Sequence, residues 1–155
     1  MLTADGLHGV IPAIPTPFTA DGREVDEAAL RRIVRHVVDG GVHGIMTTGG
    51  TGEFPHLSRK ERAMVTGVVV SEAAGAVPVY AGTAACATWD VIALTEDAAE
   101  AGADAAILTP PFYFGIPEDM LFRHFADVAG ARILPVVVYN NPLYTGNDLP
   151  PALLT

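Results

Sequence analysis

The sequence predicts an α/β protein built on a parallel sheet, on three observations. Short apolar runs begin near residues 44, 77, 105 and 134, at intervals of about 30 residues, the length of a strand-plus-helix unit. Segments of helical periodicity lie between them. Each run is bounded by loop residues and is apolar throughout, as strands buried on both faces are. Alternating units of this kind put helices on the faces of a parallel sheet. Two architectures satisfy the pattern, an open doubly wound sheet and part of a (β/α)8 TIM barrel. A complete barrel needs about 250 residues, so a chain of 155 residues supplies only its first five βα units.

In chain order, Val10 to Phe18 has the apolar content of a first strand, although Pro12, Pro15 and Pro17 each remove a ladder donor. Asp26 is placed to cap a helix. Leu30, Ile33, Val34, Val37 and Val38 then share one helical face, and Gly40-Gly41 ends it. A strand covers 44–48. Ser58-Arg59-Lys60-Glu61 is a capping box opening the second helix. Val77 to Ala81 is the next strand. Thr88 is read as the cap of a third helix that turns Val91, Leu94, Thr95 and Ala98 inward and closes at Gly102. A strand follows at 105–108. Pro117 suits a first helical position, ahead of Glu118 and Asp119 at the positive end of the dipole. Leu121, Phe125 and Val128 form that helix's inner face, and Gly130 stops it. Leu134 to Tyr139 is the most strand-like run. Asp148-Leu149-Pro150-Pro151 opens a further helix, giving five strands and four complete helices before Thr155.

Composition excludes several classes. A formal charge of −9 argues against nucleic acid, whose phosphates call for Lys and Arg. The single cysteine, Cys86, forms no internal disulfide and fits a reducing compartment. Met1 to Asp5 shows no basic and apolar leader pattern. No apolar run nears the ~18 residues of a membrane helix. The expectation is a cytoplasmic protein with no membrane or nucleic-acid partner. His8, His36, His43, His56 and His124 show no metal-ligand spacing, and no cofactor is implied.

The stretch that carries chemistry is Thr47-Thr48-Gly49-Gly50-Thr51-Gly52-Glu53, between a strand and a helix. Glycines let the backbone approach a ligand closely. Free N–H groups and the Thr51 hydroxyl can cradle a carboxylate or phosphate. A glycine-rich turn without a ligand is the plain alternative. Glu53 is expected to brace the loop by accepting N–H bonds, and Glu96, Asp97 and Glu100 to form a solvated helix face.

Gly49-Gly50-Thr51-Gly52-Glu53-Phe54 resembles the pyruvate-binding loop of the dihydrodipicolinate synthase / N-acetylneuraminate lyase family. Four more motifs are similar and in the same order: Ile14-Pro15-Thr16-Pro17-Phe18, Ala101-Gly102-Ala103-Asp104, Pro110-Pro111-Phe112-Tyr113 and Tyr139-Asn140-Asn141-Pro142. The resemblance covers nearly the whole chain and selects the barrel, with residues 1–155 as the N-terminal portion of a single domain. It implies a Schiff-base-forming lyase, a class I aldolase type acting on pyruvate or another small-molecule 2-oxo acid. Gly50, Thr51 and Gly52 would bind the substrate. Tyr139 would carry protons and Tyr113 would support that relay. It also implies a homo-oligomer.

The family's imine-forming lysine falls beyond Thr155 by this resemblance, and Lys60, a helix-start lysine, is no substitute. The chain alone is therefore expected to be inactive, and a non-catalytic fragment that pairs with a partner is the competing reading. A third is an open sheet binding phosphate at Gly49 to Gly52. Two departures bear on substrate. Gly50 replaces the threonine or serine of the family's tyrosine–threonine–tyrosine relay, a form resembling the keto-deoxyglucarate dehydratase branch. Tyr144 stands where dihydrodipicolinate synthases carry a carboxylate-pairing arginine, which disfavours 4-hydroxy-tetrahydrodipicolinate synthase proper.

Overall fold

In the computed structural model, residues 7–153 are described. Met1 to Asp5 and Thr155, on which the leader and final-helix readings bear, lie outside them. Helix α1 (Glu27–Asp39) starts where Asp26 accepts from the Ala29 N–H at 2.9 Å. Strand β1 (Ile45–Thr47) leads to α2 (Arg59–Ala73), whose reciprocal Ser58–Glu61 capping box is formed. Then come β2 (Val79–Gly82), α3 (Thr88–Glu100), β3 (Ala105–Leu108), α4 (Glu118–Gly130), β4 (Val136–Val138) and a four-residue turn of helix, α5 (Pro142–Thr145).

The sheet is parallel and its order is β1-β2-β3-β4. Sequential order without a reversal is the order of a barrel wall, whereas a doubly wound sheet reverses at a switch point. The open-sheet reading is therefore set aside.

The first expected strand is not a regular one. Pro12, Pro15 and Pro17 have no N–H, so residues 10–14 lie along β1 through scattered bonds. His43 donates to Val10 O at 2.8 Å, Met46 to Pro12 O at 2.9 Å, and Ile14 to Met46 O at 3.0 Å, with a single parallel bridge at Ala13. The barrel's first position is filled by a proline-interrupted segment rather than by a fifth named strand.

Other boundaries moved for local reasons. Thr88 is the first residue of α3, and its hydroxyl pairs with His124 Nδ1 at 3.0 Å instead of capping. Pro117 precedes α4, and Gly130 lies inside it; Arg132 takes the left-handed turn (φ 53°). The helix expected from Asp148 is a 3-10 turn at Pro151–Leu153. Asp97 is no free solvated carboxylate, because Arg59 Nη2 donates to it at 2.8 Å and ties α2 to α3.

The core lies between the sheet and its helices. Leu30, Val34, Ile45, Val69 and Val79 are fully buried or nearly so, and they join α1, α2, β1 and β2. Leu108, Leu121, Phe125 and Val128 do the same around α4.

His124 meets Phe125 of that second cluster edge-on at 5.2 Å and is 4% exposed, with no partner for Nε2 among the described residues. Burial pushes its pKa below the usual 6.5, against a weaker opposing pull from Asp127. The folded chain thus resists a proton that the unfolded chain takes up. Stability is full above the unfolded value of about 6.5 and falls as pH drops toward the depressed folded value. Urea unfolding at pH 7 and pH 5 is expected to show a loss for the parent and a smaller one for His124→Gln. Equal losses would contradict the assignment.

Candidate functional site

A cavity of about 700 Å³ opens where the strands end. Thr48 follows β1, Gly82 closes β2, Leu108 closes β3 and Tyr139 follows β4, and all four line it. This is the carboxyl end of the sheet, where barrel sites are built.

Thr48 sets the geometry of the first wall. It is 1% exposed and has φ 51°, a costly value for a β-branched residue. Its Oγ1 donates to Gly82 O at 3.1 Å, which holds the strained turn against β2. Such strain persists only where the surroundings enforce it. The turn bends Gly49, Gly50 and Thr51 into the cavity lining. Gly50 O accepts from Glu53 N at 3.0 Å and Gly49 O from Phe54 N at 3.3 Å, which closes the loop. The amides of Gly50 and Thr51 donate to no acceptor among the described residues. The Glu53 carboxylate accepts no bond there, so it does not brace the loop as expected. Glu53 contributes a left-handed backbone (φ 57°) instead.

Gly50, Thr51 and Tyr139 therefore face one space. Gly52 does not line it. Gly52 is packed behind the loop, where an added Cβ would meet Thr48 N at 3.2 Å and Ile14 O at 3.3 Å, and its carbonyl accepts from Thr16 Oγ1 at 2.8 Å. Its place in this chain is structural, in contrast to the substrate contact expected. Tyr113 is also outside the lining. Its ring is 85% exposed, on a residue with φ 83°, and meets Phe114 edge-on at 4.7 Å. Asn147 brackets that turn, donating to Pro111 O and Phe114 O (2.8 and 2.9 Å) and accepting from Ile116 N (2.7 Å). Lys60 is exposed and no lysine lines the cavity. His56 borders it and is exposed.

Two side chains were assigned no individual role from the sequence. Arg62 of α2 is 8% exposed and has no carboxylate partner among the described residues. Its Nη2 donates to Gly82 O at 2.7 Å and its Nη1 to Ala84 O at 3.1 Å, while the guanidinium lies 5.3 Å from the Phe54 ring centre. Phe54 in turn meets Phe112 edge-on at 5.8 Å on the cavity wall. Desolvation lowers the Arg62 pKa to about 10, which leaves it charged at neutral pH. Its signal was present, since Arg62, Val65, Thr66 and Val69 fall on one helical stripe. The second is Asn141, a lining residue whose Nδ2 donates to the Tyr139 hydroxyl oxygen at 2.9 Å.

The model of the "Dihydrodipicolinate synthetase family" matches residues 6–155. The chain belongs to that family. An uncharacterized DapA-like lyase of Halobacterium salinarum is 43% identical over 144 residues, covering 93% of this chain and 47% of its own length. A 4-hydroxy-tetrahydrodipicolinate synthase of Methanothrix thermoacetophila is 46% identical, over 94% and 48%. Among solved structures, dihydrodipicolinate synthase from Aquifex aeolicus superposes with TM-score 0.90 at 37% identity, over 94% of this chain and 49% of that one. YagE, an E. coli prophage protein of the dihydrodipicolinic acid synthase family solved with pyruvate, superposes with TM-score 0.91 at 36% identity, over 96% and 49%. The chain thus spans about half the length of the family members it matches and forms the N-terminal part of their TIM barrel. Among the described residues no helix is long and apolar enough to cross a membrane.

Proposed function

We propose that this chain is the N-terminal portion of a single-domain lyase that forms a Schiff base with pyruvate or another small 2-oxo acid. One observation carries the reading: the unbonded amides of Gly50 and Thr51 and the phenol of Tyr139 border one cavity at the carboxyl end of the sheet. The amides and the Thr51 hydroxyl suit a carboxylate, whose charge they meet without desolvating a cation. A keto acid held there presents its carbonyl carbon for attack by a lysine amine. That lysine comes from outside the 155 residues, because Lys60, the single lysine of the sequence, is exposed and does not line the cavity. Tyr139 moves protons as the imine forms and as the bond beyond it breaks.

Tyr113 has no role in this reading within one chain, given its exposure. The exposed, adjoining rings of Tyr113 and Phe114 support a homo-oligomer, since contiguous apolar side chains left in solvent mark contact surfaces. Tyr144 on the lining offers no cation for a carboxylate on the second substrate, which favours a partner or leaving group without one.

Borohydride reduction in the presence of pyruvate tests the proposal on the longer protein that carries this chain. A stable mass increase is expected, because hydride converts the imine to an amine that cannot hydrolyse. A folded protein that gains no mass would remove the assignment.

A further inference from the structure

The polar surroundings of the Tyr139 phenol differ from those its loop partner would suggest. Gly50 on the facing wall has no side chain, and nothing lies within 4 Å of where its Cβ would stand. No hydroxyl from the glycine loop reaches the phenol. Its one partner among the described residues is Asn141 Nδ2 at 2.9 Å.

Asn141 is held for this contact. It precedes α5, a position where asparagine ordinarily turns its side chain back to the first helical N–H groups. Here the side chain makes no such cap bond. The backbone is fixed by its carbonyl instead, which accepts from Tyr144 N at 3.2 Å, Thr145 N at 3.1 Å and Thr145 Oγ1 at 3.0 Å. Thr145 is itself 4% exposed, so the anchor is buried. Tyr139 is fixed from the other side by its N–H to Leu108 O at 2.9 Å. Two pinned backbones thus hold amide and phenol together across a gap of one residue.

The direction of the bond decides its use. The amide donates and the phenol oxygen accepts, so the one phenolic proton is left to point into the cavity. A hydroxyl that accepts a hydrogen bond is also the better donor.

We propose that Asn141 is a positioning residue for proton transfer by Tyr139, taking the place that a loop hydroxyl at position 50 would otherwise hold. This rests on the Schiff-base reading above. When the tetrahedral amine adduct loses water, the Tyr139 O–H proton passes to the departing oxygen. The O–H electron pair stays on the phenol oxygen, where the Asn141 N–H meets the charge. The phenolate then removes a proton from the carbon beside the imine, giving the enamine and restoring Tyr139.

The test uses the longer protein with pyruvate and borohydride trapping, together with steady-state rates on the 2-oxo acid. Variants are Asn141→Val, Asn141→Asp (isosteric but unable to donate), Tyr139→Phe and the two double variants. Each Asn141 variant is expected to lower kcat about tenfold or more while KM changes less than about threefold, the pattern of a contact used in the transition state. In the Tyr139→Phe background neither is expected to slow the reaction further, because coupled residues are not additive. A merely structural role would cost the same in both backgrounds, and additive losses would overturn the role of Asn141 alone. An unsubstituted protein that traps no adduct would overturn the Schiff-base reading, and with it the proton steps assigned here.

Discussion

Replacing Gly82 with alanine is expected to destabilise the protein by about 3 kcal/mol or more, at the top of the overpacking range. The residue ends β2 directly against the turn after β1. An added Cβ would press on the Thr48 carbonyl oxygen, 2.7 Å from its carbon and 3.0 Å from Gly49 N. All of these are backbone atoms, which cannot rotate aside as a side-chain tip can. The same carbonyl group of Gly82 accepts from both Thr48 Oγ1 and Arg62 Nη2, so relief by moving the strand end breaks two bonds. Thermal melting should fall by about 6–12 °C, on the scale of about 2–4 °C per kcal/mol for chains of this size. Gly50→Ala is the control. Its Cβ enters open space, and its effect should stay within about 0.5 kcal/mol. Equal melting of the two variants would refute the claim that the cavity wall depends on backbone contact at Gly82.

That contrast shows what could be read from the sequence and what could not. The helices were legible because their signals are local. The α1 stripe, the α3 set Val91, Leu94, Thr95 and Ala98, and the Ser58–Glu61 box all sit where periodicity and capping chemistry put them. The glycine loop was legible as a place of close approach, but not which glycine lines the cavity. Gly50 does, while Gly52 is spent on packing against Ile14 and Thr16. That difference depends on a segment 36 residues earlier, which no local rule reaches. Thr88 misled for the same reason: its partner is His124, and a threonine at a helix start looks like a cap whether or not its hydroxyl is taken elsewhere. The proline-rich first segment was a true conflict, apolar enough for a strand and short of donors. It resolved as a partial strand, with bonds only where an N–H exists.

Arg62→Ala is expected to cost about 2–4 kcal/mol and to loosen the cavity's aromatic wall, through a truncated buried side chain and a carbonyl left without a donor. Two effects oppose each other here. Removing a buried charge relieves a desolvation penalty, which is why swapping buried ions for apolar groups is often neutral. The bonds lost are those to Gly82 O and Ala84 O. Gly82 O keeps Thr48 Oγ1, whereas Ala84 O has no other donor among the described residues. The packing loss is the larger part, since the side chain fills the space between α2 and the Phe54 ring. Arg62→Met restores most of that volume and drops the charge, so it should recover most of the stability. Arg62→Lys keeps a charge as one compact donor that cannot fork to two carbonyls in a plane, and it should be less stable than Arg62→Met. Urea unfolding of the three variants checks the order Met above Lys above Ala. If Lys equals the parent, charge alone holds the loop and the forked geometry is irrelevant. If Met instead falls as low as Ala, the two carbonyl bonds outweigh volume, and Arg62 is better described as the pin that fixes Gly82 under the glycine loop.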